Sequence, residues 1–343
     1  MPDLPNRQAI PATLRDGPRR TRRCALLALA AAAASVLLPA VAAAAETWPS
    51  RPIRIIVPFP PGGPADGSAR VLAEAMGPEF GSRIVVDNRT GGGGIIGVTA
   101  AAQANDGHTL LMGSTSMTVT PALRSDLPYD ILHDFHPIGM VSAQPLVLVV
   151  PADSKLASVA DVIEAGRAQK GSLTAGNSGV GTLSHLATEL FNIRTGAEIT
   201  PVPYRGENAL MPDLLTGTVS LGFLNLPILL PQLQSGKLRA LAVSAKAEVP
   251  ELPGARTFKE LGIEDMEVEG WAALLAGPGI PPEALDRLSE SLRRALASPG
   301  VRQRLEAFGT TPVSSTREEL GAFLRSQMAR WGEVVRTRNI KAE

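Results

Sequence analysis

Two glycine-bearing loops and a few side chains near them hold most of the groups in this sequence that could grip or transform a small molecule. The first, Phe59-Pro60-Pro61-Gly62-Gly63-Pro64-Ala65-Asp66, frees the backbone at Gly62 and Gly63 and stiffens it at the prolines. A helix starting there points unsatisfied N–H donors and partial positive charge at an incoming carboxylate. Asp66 has two readings: the N-cap of that helix, or a residue that orients an ordered water or a polar ligand group. The second loop, Asn177-Ser178-Gly179-Val180-Gly181-Thr182, offers hydroxyls, an amide and main-chain donors ahead of a helix carrying His185. His185 reads as a ligand donor or as a packed structural histidine. Arg205, after Tyr204, reads as a carboxylate fork or as a surface cation.

Covalent and cofactor chemistry fit less well. Gly176-x-Ser178 begins like a nucleophile elbow, but Val180 fills the position that needs glycine, and no base and acid pair is marked for Ser178. Gly92, Gly94 and Gly97 satisfy G-x-G-x-x-G. The next strand, however, ends Leu111-Met112-Gly113-Ser114, without the acid that a dinucleotide ribose requires. A tight turn or close helix packing is the plainer reading of those glycines. His133, Asp134 and His136 have no clear third partner for a metal. No cofactor and no metal are expected.

The segments around the loops alternate strand with helix. Arg51 to Pro58 is a β-branched strand, Val71, Leu72, Ala75 and Met76 have helical spacing, Arg83 to Asp87 is a strand, a helix runs through Ile95, Ile96 and Ala100, and Thr109 to Gly113 is a strand. That is a doubly wound parallel unit. A second follows the buried strand Pro145 to Pro151. It has a helix capped by Ser158 with Asp161, strands at Ser172 to Ala175, Ile199 to Tyr204 and Val219 to Leu224, and helices from Leu183 and over Ala209 to Leu215. LRALAVS and MEVEGWAALLAG are further strands, the second able to carry the chain back to the first unit. Pro281-Pro282 starts one tail helix and Ser315 with Glu318 caps the last. The predicted domains are 46–145 with 268–343, and 146–267, joined by two crossings around a cleft.

Composition agrees with a globular, two-domain chain: 343 residues, 44% hydrophobic, 33 basic and 33 acidic side chains. Arg19-Arg20-Thr21-Arg22-Arg23 precedes an apolar run from Cys24 to Val41 that ends in alanines, the pattern of a cleaved export signal over residues 1–45. Six arginines lie in that segment, so residues 46 to 343 hold 27 bases and 31 acids. A mildly acidic body gives no electrostatic case for nucleic acid. Cys24 is the only cysteine, which excludes thiolate nucleophiles and thiolate metal centres from the remainder.

Ordered motifs along residues 48 to 340 resemble a known family. They include Pro58-Phe59-Pro60-Pro61-Gly62-Gly63 with Asp66, Asp87-Asn88-Arg89 with Gly91, Gly93 and Gly97, Asp106-Gly107-His108-Thr109, Leu127-Pro128-Tyr129-Asp130, Ser184-His185-Leu186-Ala187, Pro203-Tyr204-Arg205-Gly206, Gly236-Lys237-Leu238-Arg239-Ala240, and Trp271 with Pro278 and Pro281. The chain resembles the extracytoplasmic solute receptors of the tripartite tricarboxylate transporter system, the Bug family. The resemblance implies a type II periplasmic-binding-protein fold, two α/β domains that close on a small organic carboxylate without chemistry, and delivery to membrane permease subunits by a periplasmic monomer. It implies ligand contacts from Phe59, Gly62, Gly63, Ala65 and Asp66, from Asn177, Ser178, Gly179, Gly181, Thr182 and His185, and from Ser114, Thr115, Tyr204, Arg205 and Gly206. Asn225 stands in the distal pocket where many relatives carry Asp, and Ala273 replaces a usual glycine. A sensor partner in place of a permease, or an exported serine hydrolase using Ser178, are the alternative readings.

Overall fold

The computed structural model describes residues 48–341 apart from 82, 250 and 309, and the export segment read in residues 1–45 lies outside them. In chain order the elements are β1 (Ile53–Val57), α1 (Pro64–Met76), β2 (Ile84–Asn88), α2 (Ile95–Ala102), β3 (Thr109–Ser114), α3 (Ser116–Leu123), α4 (Ile131–Asp134) and β4 (His136–Pro151). There follow α5 (Val159–Ala168), β5 (Thr174–Asn177), α6 (Leu183–Thr195), β6 (Thr200–Pro203), α7 (Glu207–Leu215), β7 (Leu221–Asn225), α8 (Leu226–Gln234) and β8 (Leu238–Val243). The last are β9 (Glu269–Ala276), α9 (Pro282–Ala297), α10 (Pro299–Glu306), β10 (Thr311–Pro312) and α11 (Arg317–Thr337). No helix among the described residues is long and apolar enough to cross a membrane.

Two parallel trios carry the fold: β2-β1-β3 and β6-β5-β7. Ile53, Ile55, Ile56 and Val57 of β1 are all buried, as a strand covered on both faces requires. The sheet is mixed where a purely parallel unit was expected. β4 and β9 run antiparallel to each other, and β9 runs antiparallel to β3. Their position explains the direction: both are passages between the lobes, so the chain arrives from the far side. Residues 136–145 of β4 pair with β9, and residues 146–151 pair with β7 and β8. One strand thus stitches both lobes.

Each lobe has apolar layers on both sheet faces. Ile53, Leu72, Leu110 and Leu288 fill one layer of lobe 1, and Ile56, Leu111, Leu275 and Leu320 the other. Lobe 2 is centred on Phe191, Phe223 and Phe258, with ring centroids 5.7 to 6.0 Å apart. Leu320 and Leu324 of α11 join the lobe 1 core, while Trp331, Val334 and Val335 of the same helix join that of lobe 2. The cap of α11 sits one residue later than expected. Ser315-x-x-Glu318 and Thr316-x-x-Glu319 satisfy the same spacing, but the Ser315 hydroxyl accepts from the Met140 N–H at 3.0 Å, leaving Thr316 and Glu319 to form the box.

Candidate functional site

A cavity of about 490 Å³ lies where the starts of α1, α3 and α6 converge, within the range typical of small-molecule sites. Lobe 1 lines it with Phe59, Pro64, Ala65 and Ser68, with the Ser114-Thr115-Ser116 corner, and with Gly270 and Trp271 of β9. Lobe 2 contributes Val180, Gly181, Thr182 and Leu183. No lining residue carries an ionisable side chain. Any anion held here is neutralised by dipoles and hydroxyls alone.

The α1 start is built for that task. Gly63 takes the N-cap position in extended conformation and Pro64 the first turn. Proline has no N–H, so Ala65 and Asp66 supply the first free donors. Asp66 is not the N-cap. It sits on the third helical residue, 4% exposed, where its carboxylate accepts from the Gly62 N–H at 2.9 Å and from Arg70 Nε at 3.0 Å. Burial opposes its ionisation, but the Arg70 guanidinium and the Gly62 N–H outweigh that and hold the carboxyl below its usual range. The ion pair fixes the loop, and Asp66 itself lies off the cavity lining. At the α3 start the Thr115 hydroxyl accepts from the Trp271 N–H at 3.0 Å, joining the helix to β9, and the Ser114 and Ser116 hydroxyls lie 2.9 Å apart.

Two residues of the lining carry buried donors that are unspent. Ser68 Oγ, on a residue 1% exposed, and Trp271 Nε1, on one 5% exposed, have no hydrogen-bond partner among the described residues. Such groups are costly unless something accepts from them.

The lobe 2 loop is arranged differently. Its N–H groups turn inward: Ser178 to Ser184 Oγ at 2.9 Å, Gly179 to Asn177 Oδ1 at 3.0 Å, Gly181 to His185 Nδ1 at 3.0 Å, and Thr182 to the Gly179 carbonyl at 3.2 Å. The Ser178 hydroxyl meets Ser184, and His185 is engaged with Gly181. A Ser178–His185 dyad is therefore not formed.

Of the residues singled out from sequence, Phe59, Ala65, Ser114, Thr115, Gly181 and Thr182 line the cavity. Gly62, Gly63, Asp66, Asn177, Ser178, Gly179 and His185 form the scaffolding of the two loops. Tyr204, Arg205, Gly206 and Asn225 are off the cavity lining, although the Tyr204 N–H donates to the Asn177 carbonyl of the site loop at 2.9 Å. The Tyr204 hydroxyl donates to Asp213 at 2.6 Å, which pushes its pKa up to about 12. Arg205 is exposed, and Gly206 is the N-cap of α7. Asn225 Nδ2 donates to Glu207 at 2.8 Å, and burial of Glu207 raises its pKa against that bond. No cluster of three metal-ligating side chains occurs among the described residues.

Sequence reasoning passed over Ser116, Val119, Thr120 and Leu123, which line the cavity from one face of α3. Their i, i+3, i+4, i+7 spacing was the available sign. Ser68 lies within the α1 pattern and gave none.

His185 carries a pH signature. Burial depresses its pKa, with Glu189 opposing, and Nδ1 must be unprotonated to accept from Gly181. The unfolded chain therefore takes up the proton first, so stability is complete above pH 6.5 and is lost as pH falls toward the folded pKa. Urea denaturation at pH 7.5 and 5.5 should show a smaller loss for His185→Gln than for the wild type.

A family model described as tripartite tricarboxylate transporter family receptor matches residues 68–340. BugT of Bordetella pertussis is 38% identical over 324 residues, 94% of this chain and 98% of that protein. The structure of a TctC solute binding protein from Polaromonas matches with a TM-score of 0.77 at 26% identity, covering 85% of this chain and 100% of that one. R. palustris Rpa4515 with adipate matches with a TM-score of 0.69 at 33% identity, over 86% and 99% of the two chains. The architecture is thus the two-lobed periplasmic-binding-protein fold with two strand passages between lobes. The chain belongs to the tripartite tricarboxylate transporter receptor family, the TctC or Bug group, whose members are solute-binding receptors and not enzymes.

Proposed function

We propose that this protein is a periplasmic receptor that takes up a small organic carboxylate between its lobes and passes it, as a monomer, to the membrane subunits of a tripartite tricarboxylate transporter. The observation that carries the reading is a cavity at converging helix starts, lined with hydroxyls and with no ionisable side chain. Adipate in the R. palustris relative supports organic acids as the class. Residues 1–45 would direct export and be removed. The lobes are 46–145 with 268–343, and 146–267, the end of α11 from Trp331 reaching across onto the lobe 2 core, and closure bends β4 near Pro145 and the chain entering β9.

On this reading the carboxylate lies against Ala65, Ser114 and Thr115, while Phe59, Gly181 and Thr182 close over it. Gly62, Gly63, Asp66, Asn177, Ser178, Gly179 and His185 hold the loops. The main chain of the Tyr204-Arg205-Gly206 turn and the Asn225 amide approach only when the lobes meet, with the exposed Arg205 guanidinium left in solvent. Micromolar affinity corresponds to about −8 kcal/mol. Charge-assisted hydrogen bonds of roughly 1.5 to 3 kcal/mol each supply that after association costs only if several act together.

A thermal-shift panel of organic acids tests the reading. A ligand at about 100 times its Kd adds about 2.7 kcal/mol, a rise in melting temperature of roughly 5 °C or more for a chain of this size. Folded protein that gives no rise with any carboxylate would contradict it.

A further inference from the structure

We infer that the ligand is a monocarboxylate with an uncharged, largely apolar body, an aromatic or medium-chain aliphatic acid, its carboxylate in lobe 1 and its body against lobe 2. This rests on the carboxylate reading above and names the substrate class within it.

Polarity is sorted along the cavity. One face of α3 presents Ser116, then Val119 and Thr120, then Leu123, over a length of about 10 Å at 1.5 Å per residue. At the Ser116 end stands Ser68 Oγ, unpartnered among the described residues, on the helix whose first N–H groups open there. At the Leu123 end the lining is completed by Val180 and Leu183, and Leu123 closes on the backbone of Gly181. Within the lobe 2 loop the N–H groups of Ser178, Gly179, Gly181 and Thr182 are already bonded, so the main-chain donors left at that end are those of the first turn of α6, from Leu183.

Cations are absent from that end of the lining as well. Arg124, which follows Leu123, is tied to Asp126 through both arms of its guanidinium at 2.9 and 3.0 Å. Arg205 is exposed and off the lining. A second carboxylate directed toward Val119, Leu123 and Val180 would exchange its water for apolar contacts, with no cation and only the first-turn N–H groups of α6 to offset the loss, which is expensive for a charge and favourable for a methyl or a ring. The single-anion, apolar-bodied ligand satisfies both ends at once.

Hexanoate and adipate form a matched pair, equal in carbon number and differing only in the far group. Calorimetric titration of the purified protein at pH 7.5 should show affinity climbing about fourfold per methylene from butyrate to hexanoate. Hexanoate should bind about 30-fold or more tighter than adipate, with benzoate comparable to hexanoate. Val180→Lys, on a half-buried loop residue, should shift the hexanoate to adipate ratio at least about tenfold toward adipate. Adipate, malate or citrate binding more tightly than hexanoate would overturn the inference and leave the carboxylate reading intact, as would an unchanged ratio in Val180→Lys. No binding of any acid in either group would instead sink the carboxylate reading itself.

Discussion

Ala65→Asp should abolish carboxylate binding in a protein that folds as well as the wild type. Ala65 is the second residue of α1, half-buried on the cavity lining. An acidic residue in a first helical turn is favoured by about 0.3 to 1 kcal/mol, so the melting temperature without ligand should hold or rise slightly. The same side chain sets a fixed negative charge where the ligand carboxylate belongs. Two like charges about 4 Å apart at an effective dielectric near 20 repel by about 4 kcal/mol, a loss of roughly a thousandfold in affinity. Ala65→Asn, similar in shape and neutral, should cost no more than about tenfold. Titration calorimetry separates the two, and equal effects from Asp and Asn would mean that bulk, not charge, governs the site.

The largest effect on stability is expected at Gly97. A Cβ there would lie 2.5 Å from the Arg89 carbonyl oxygen and 2.7 and 2.8 Å from Pro58 Cβ and Cα, and the backbone atoms among these cannot step aside as a side chain could. Overpacking of this kind costs about 3 kcal/mol. Pro58 ends at the loop that carries Phe59 to Gly63, so the displacement should reach the cavity and weaken binding too. Gly93→Ala is the informative contrast. Gly93 has φ of +66° with open space around it, so the change should cost only about 1 to 2 kcal/mol, through the left-handed backbone. Midpoints of chemical denaturation rank the pair, and a Gly97→Ala protein as stable as Gly93→Ala would refute the close-packing account.

Those two glycines also show what the sequence could and could not convey. The G-x-G-x-x-G spacing was real, but its third glycine serves the approach of α2 to β1, and Gly93 alone of that loop lines the cavity. Motif spacing records backbone demand without saying which demand. β1 and β3 were legible because their buried residues run almost without interruption, and α1, α2 and α6 because glycine loops precede them. α8 was missed: Leu226, Leu229 and Leu230 follow Asn225 directly, and Pro227 and Pro231 look like breakers although one opens the helix and the other is accommodated inside it. The lining from α3 was hidden for a related reason, since Pro121 interrupts a short, weakly polar segment. Hydrogen bonding within the lobe 2 loop was beyond reach. Glycines and hydroxyls at Gly176 to Thr182 announce a turn, and whether its donors face a ligand or one another depends on coordinates.

A crystal structure with hexanoate or another bound organic acid tests the central claim most directly. The account predicts carboxylate oxygens within about 3.2 Å of N–H groups at the starts of α1 and α3 and of Ser68 Oγ, with no cationic side chain in contact. A carboxylate paired with an arginine, or seated outside the cavity between Ala65 and Thr182, would contradict it.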